Sequence, residues 1–256
     1  MWSPEQYDRY RDERSRPFFD LMAQVDCPAA RLVADLGCGP GSLTKTLASR
    51  FPDARIFGVD SSPEMIEAAS AHASDRVSFE LADIATWQPP APLDVIVSNA
   101  ALHWVPSHDA LFARLAGLLA PQGVLAVQMP NNFGAPSHTL LRELCATPRW
   151  SPQLGHFAAR EPFVLSPVFY VNTLFGLGLD VTLWETTYYQ TLEGEDAVLE
   201  WMLGTTMRPL LSLLDEESQS ALRRDYGERL RQTYPRADFG ALFPFKRLFL
   251  VATKRP

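Results

Sequence analysis

Between Val33 and Gly41 the chain reads Val-Ala-Asp-Leu-Gly-Cys-Gly-Pro-Gly, so that Gly37, Gly39 and Gly41 alternate with other residues just after an acid, Asp35. Glycine in such a turn lets the main chain take positive φ, and lets a ligand approach the backbone without meeting a Cβ. A second acid, Asp60, closes the apolar run that starts at Arg55. A carboxylate at that place can accept both hydroxyls of a ribose. Together these residues suit the holding of a nucleoside-bearing ligand. The plainer alternatives are a tight strand-to-helix corner for the glycines and a helix cap for Asp60.

The glycine pattern is GxGxG, and Ser42 stands where a dinucleotide fingerprint GxGxxG would put glycine or alanine. A pyrophosphate would also lie near the N-terminus of the following helix, where Asp35 would repel it. Asp35 instead suits a cationic group, which argues against a nicotinamide dinucleotide. Ser42 reads as the cap of that helix. Cys27, Cys38 and Cys145 form no CxxC pair, and the histidines have no ligand spacing, so no metal is expected.

With 23 basic and 30 acidic side chains the formal charge is −7, and there is no long block of like charges. Nucleic acid is therefore not an expected partner. An acidic small molecule can still be bound if arginines gather locally against the average field. Arg14 and Arg16 on a charged N-terminal arm, Arg208 and Arg247 are the candidates, because the guanidinium fork grips carboxylates at two points. Tyr7 could help close such an arm. For each of these the plain reading is a solvated or salt-bridged surface group, or aromatic packing in the case of Tyr7.

The elements that position these residues follow from hydrophobic period and punctuation. Short apolar runs predict strands at 31–36, 55–60, 77–81, 93–98 and 123–129, separated by helices at 42–50, 63–71 and 109–119. Ser62 before Pro63 marks a capped helix start. This alternation predicts an α/β fold with a doubly wound, mostly parallel sheet and helices on both faces. Further on, helices are expected at 135–146, 166–176 and 215–234, an irregular loop at 148–167, and strands at 180–192 and 245–253, which together make seven strands. The 256 residues, 46% of them hydrophobic, suffice for one domain. Its expected parts are an N-terminal arm or lid (1–28), a ligand-binding core (30–130) and a helical cap with the final strands (131–256). The start of the chain lacks the uninterrupted apolar stretch of a signal peptide, and no window is apolar enough to span a membrane, so a cytoplasmic protein is expected.

The segments Asp35 to Gly41, Gly58 to Ser62 and Ala82-Asp83-Ile84 resemble the successive motifs of the class I S-adenosylmethionine-dependent methyltransferases. That resemblance implies a Rossmann-like methyltransferase fold with S-adenosylmethionine as cofactor. Asp35, Gly37, Gly39 and Gly41 would hold its methionine part and Asp60 its ribose hydroxyls. Asp83 and Ile84 would hold the adenine, and Asn99 would border the methyl group. Ser61 and Met65 count among the same contacts. Four flanking segments, Glu13 to Pro17, Ser98 to Trp104, Ala126 to Asn132 and Thr186 to Tyr189, are similar to members that methylate a small polycarboxylate, trans-aconitate in particular. On that likeness Tyr7, Arg14, Arg16, His103, Trp104 and Arg208 would face the acceptor.

Methyl transfer from a sulfonium to a carboxylate joins opposite charges into two neutral products, so a dry, aligned pocket is what it requires. No general base is needed, and no catalytic dyad is expected. The core motifs are equally compatible with another small acid, a carrier-bound malonyl group or a quinone precursor as acceptor. A cofactor-binding regulator without turnover is the alternative of another class. No membrane or obligate protein partner is expected.

Overall fold

A computed structural model describes the backbone from residue 11 and the side chains from residue 15 to the end of the chain. It opens with helix α1 (Arg11–Met22) and strand β1 (Leu32–Leu36), then α2 (Ser42–Arg50), β2 (Arg55–Asp60), α3 (Pro63–Ala69), β3 (Val77–Leu81), β4 (Leu93–Asn99), α4 (His108–Leu118) and β5 (Leu119–Pro130). There follow α5 (Pro136–Ala146), α6 (Ser151–Ala158), α7 (Pro167–Gly176), β6 (Leu179–Leu192), α8 (Ala197–Leu203), α9 (Arg208–Leu211), α10 (Glu216–Thr233), the short β7 (Arg236–Ala237) and β8 (Gly240–Lys254). Among the described residues no helix is long and apolar enough to cross a membrane.

The sheet order is β3-β2-β1-β4-β5-β8-β6, with the two-residue β7 paired to β8 as an eighth strand beside the expected seven. The pairs among β1 to β5 are parallel, and β8 runs antiparallel to β5. Strands buried on both faces read as continuous apolar runs, which is why Val95 to Val97 and Val124 to Val127 carry no polar alternation.

Two compact units emerge: Met1–Pro130, Phe163–Thr186 and Arg247–Pro256 form one, and Asn131–Pro162 with Thr187–Lys246 the other. In the first, one face of the sheet (Ala34, Leu36, Ile96, Leu125, Val127, Leu248, Leu250) packs with Phe112 of α4 and with Tyr170 and Leu174 of α7. The opposite face carries Asp35, Asn99 and Gln128, because side chains alternate along a strand and registered partners in a parallel pair share a face. In the second unit, α5 packs against α6 and α10, and the Tyr226 hydroxyl donates to the Ser137 carbonyl at 2.7 Å.

Several boundaries move. Leu119 leaves the fourth helix and opens β5, since it pairs with Leu93 before the register shifts ahead of Val95, and Gln122 with φ 61° makes the turn that hid this. β8 begins at Gly240, not at residue 245. The expected loop at 148–167 contains α6, whose proline lies in the first turn, where a missing N–H costs nothing, and whose Leu154 and Phe157 are buried. The hydroxyl cap at Ser62 is present, accepting from Met65 N at 3.3 Å. Tyr188 and Tyr189 fall on opposite sides of β6, one buried and one exposed.

Candidate functional site

The glycine turn joins β1 to α2. Gly37 N and Cys38 N both donate to the Val59 carbonyl, at 2.8 and 3.0 Å, which locks the turn onto β2. At Gly37, φ is +80°, and a Cβ would lie 2.1 Å from Ala101 Cβ and 3.6 Å from Ile84 Cδ1. Only glycine lets the segment after β4 come this close. At Gly39, φ is +54° and a Cβ would meet nothing within 4 Å, so the crest of the turn is open on the side where a ligand's backbone contacts would form. Gly41 in the left-handed region is the N-cap of α2, and no side chain caps that helix. Ser42 is its first helical residue, so the expected serine cap is corrected: a left-handed glycine occupies the cap position instead.

Both oxygens of Asp60 are anchored. Oδ2 accepts from Gly39 N and Oδ1 from Ser62 N, each at 2.9 Å. A carboxylate oxygen has two acceptor sites, so one bond on each leaves capacity for a pair of hydroxyls. Asp35 is 3% exposed and lies beneath the turn, its Oδ2 accepting from the Thr44 hydroxyl at 2.6 Å. Burial pushes its carboxyl up to about 6, opposed by the Thr44 bond and aided by the Asp60 charge. Thr44 is a partner that the sequence did not suggest, since a threonine inside an amphipathic helix has no distinctive signal.

Around this cradle, Met65 is buried on α3, while Ser61 is exposed in the approach to that helix. Ile84 is buried against the Gly37 turn. Asp83 is exposed, and its Oδ1 accepts from Ala85 N at 2.8 Å, so the carboxylate helps shape its own turn. Asn99 ends β4, and its Oδ1 is buried without a hydrogen-bond partner. Ala100, next in the chain, has φ 54° and donates its N–H to the Gln128 carbonyl at 2.9 Å. A non-glycine residue in that region stores strain at a point that directs the segment after β4.

A cradle where one Cβ is forbidden and another would stand in open space, with a half-buried carboxylate beside it and an orphaned amide oxygen at the neighbouring strand end, fits a nucleoside-bearing cofactor. The turn, Asp60 and Asn99 are brought to the carboxyl ends of β1, β2 and β4, where ligands bind in such sheets.

The acceptor candidates are more dispersed. Tyr7 lies outside the described residues, and Arg14 has its backbone in α1. Arg16 is exposed, 3.8 Å from Asp20 one helical turn on. His103 and Trp104 share a short 3-10 turn after β4, with ring centroids 4.7 Å apart, and Trp104 is 42% exposed. Arg208 opens α9 in the second unit. Arg247 is 4% exposed and donates from Nη1 to Gln128 Oε1 at 3.2 Å. Gln128 was not singled out from the sequence, although one amide inside the apolar run 124–129 is a readable signal.

Residues 33–123 match the methyltransferase domain family. The chain is 47% identical to trans-aconitate 2-methyltransferase of Streptomyces avermitilis, over 99% of this chain and 97% of that protein. It is 44% identical to trans-aconitate 2-methyltransferase of Rhodococcus jostii, over 98% of this chain and 99% of that one. Among solved structures, a putative methyltransferase of Bacillus halodurans matches with a TM-score of 0.59 at 12% identity, covering 94% of this chain and all of that one, a likeness of fold.

Proposed function

Because the chain belongs to the trans-aconitate 2-methyltransferase family, we propose that it transfers a methyl group from S-adenosylmethionine to a carboxylate of trans-aconitate, leaving a monomethyl ester and S-adenosylhomocysteine. The observation that carries the reading is the Asp60 carboxylate, bonded to the crest of a glycine turn and retaining acceptor capacity for two hydroxyls. Relatives aligned along nearly the whole chain support treating both units as one methyltransferase domain.

When bound, the cofactor supplies a methyl group on a sulfonium sulfur, and its transfer to a carboxylate oxygen moves no proton. A carboxylate with an ordinary pKa near about 4 is already ionised at neutral pH, so no side chain has to act as a base. The residues work by placement. Asp60 takes the ribose hydroxyls, while the turn from Gly37 to Gly41 offers main-chain contacts to the methionine part. Ile84 and Asp83 would hold the adenine, and Ser61 and Met65 would be further contacts to the cofactor. Asp35, enclosed beneath the turn, biases the local field toward a cation. Asn99 borders the reacting methyl. His103, Trp104 and the arginines of the N-terminal helix, Arg14 and Arg16, receive the acceptor, with Tyr7 as a further contact. Alignment of this kind supplies up to about 7–11 kcal/mol in favourable systems.

The test is transfer of a radiolabelled methyl group to trans-aconitate, cis-aconitate, citrate and isocitrate in parallel. Base-labile label on trans-aconitate is the expected result. Label on another acid would replace the acceptor, and label on none would keep the cofactor fold and discard trans-aconitate and its near relatives as acceptors.

A further inference from the structure

Gln128 sits in β5 among Leu125, Ala126, Val127 and Met129, all fully buried, and is itself 0% exposed. Its Oε1 accepts from Arg247 Nη1 at 3.2 Å, which fixes the amide with Nε2 turned to another neighbour. That Nε2 is buried and has no hydrogen-bond partner. Asn99 on β4 is registered with Gln128 and, in a parallel pair, lies on the same face, with its own Oδ1 equally unpartnered. Arg247 of β8 is registered with Pro130 of β5, two residues beyond Gln128 and on the same face. A polar row therefore runs along the carboxyl ends of β4 and β5, beside the expected position of the methyl group.

A buried amide donor left unmade is costly, and an apolar residue of the same size would avoid the cost. Such a group suits a ligand that brings its own acceptor. A carboxylate offers acceptors only, and a guanidinium beside the amide complements its charge.

Resting on the carboxylate reading above, we propose that Gln128 binds a carboxylate of the acceptor through Nε2, with Arg247 positioning the amide and contributing its charge to the same subsite. The enclosure of both side chains gives the low-dielectric surroundings that favour joining a sulfonium to a carboxylate. It also means that the acid reaches them only after local opening.

The test uses the full chain with saturating S-adenosylmethionine and compares wild type with Gln128→Leu and Gln128→Glu. Gln128→Leu is expected to raise the acceptor KM by roughly tenfold or more while the dissociation constant of the cofactor stays within about twofold. Its melting temperature is expected to fall, because the buried Arg247 loses its Oε1 acceptor. A merely structural amide would show that fall alone, with an unchanged acceptor KM, so the KM is the readout that decides. Gln128→Glu keeps the shape and can pair with Arg247, yet repels the acid, so its KM should rise further. Unchanged acceptor KM in both folded variants would overturn the proposal. If wild type methylates a different acid, that acid's KM tests Gln128 in the same way while the trans-aconitate reading fails alone. If the acceptor carries no carboxylate, both fail.

Discussion

Gly39 N donates to Asp60 Oδ2 at 2.9 Å, so the residue at the crest of the glycine turn is held by the acid at the end of the neighbouring strand. The same carboxylate therefore shapes the turn and, on the proposed reading, would also hold the ribose of the cofactor. Changing it alters two properties that can be measured separately.

Asp60→Ala is expected to weaken S-adenosylmethionine binding by roughly 10–100-fold or more, since hydrogen bonds to a charged group contribute about 1.5–3 kcal/mol each. Calorimetric titration reads this directly. Unaltered affinity in a folded Asp60→Ala protein would remove the ribose assignment.

Gly37→Ala and Gly39→Ala separate steric room from backbone conformation. Both positions have positive φ, which costs alanine about 1–2 kcal/mol. Only at Gly37 would the new Cβ strike another atom, Ala101 Cβ at 2.1 Å, adding about 1–3 kcal/mol of overpacking. Denaturant unfolding should rank Gly37→Ala as the more destabilised. Equal losses would mean that the segment after β4 yields easily.

Asp35 gives the first unit a pH signature. Its pKa rises from 3.8 to about 6 on folding, mainly through burial, so between these values the native state holds a proton that the unfolded chain releases. Its contribution is fully present below pH 3.8 and is lost as pH rises through about 6, on the order of 3 kcal/mol in all. Asp35→Asn, which keeps an acceptor for Thr44, should flatten that part of the stability profile. A profile of unchanged slope would contradict the buried carboxyl.

His138, in the second unit, should act with the opposite sign. Its ring is partly buried, with Nδ1 3.2 Å from Ser137 Oγ and Nε2 3.3 Å from Thr206 Oγ1. Burial and the nearby Arg142 lower its pKa from 6.5 to about 4. The unfolded chain then binds the extra proton first, so stability present above pH 6.5 is lost as pH falls toward about 4. His138→Gln should reduce acid sensitivity over that window, and urea midpoints at pH 4.5 and 7 would show it. A midpoint difference equal to that of wild type would contradict a ring kept neutral by its partly buried surroundings.

The helices and strands of the first half were legible because punctuation and period agree there. Ser42 to Arg50, Arg55 to Asp60 and Val77 to Leu81 have the expected limits, each bounded by glycine, proline or charged turns. In the second half prolines misled, since Pro152 sits in the first turn of a helix where it is tolerated, while in sequence it reads as a break. Asp35 and Asp60 stood out in the sequence because each lies at the end of an apolar run beside the glycine turn, and the structure brings both to that turn. The acceptor side was not, because arginines are common on every surface.

What the sequence determined by itself is local: a chain that turns through Gly37, Gly39 and Gly41 can do so in few ways, and that restriction is written in the absence of a Cβ. Tertiary structure alone decided the pairings. Thr44 reaches Asp35 only after α2 folds back along β1, and Arg247 meets Gln128 across a separation of 119 residues. Neither bond has a local signature, because each depends on which strands become neighbours, and that is settled by burial of the whole sheet.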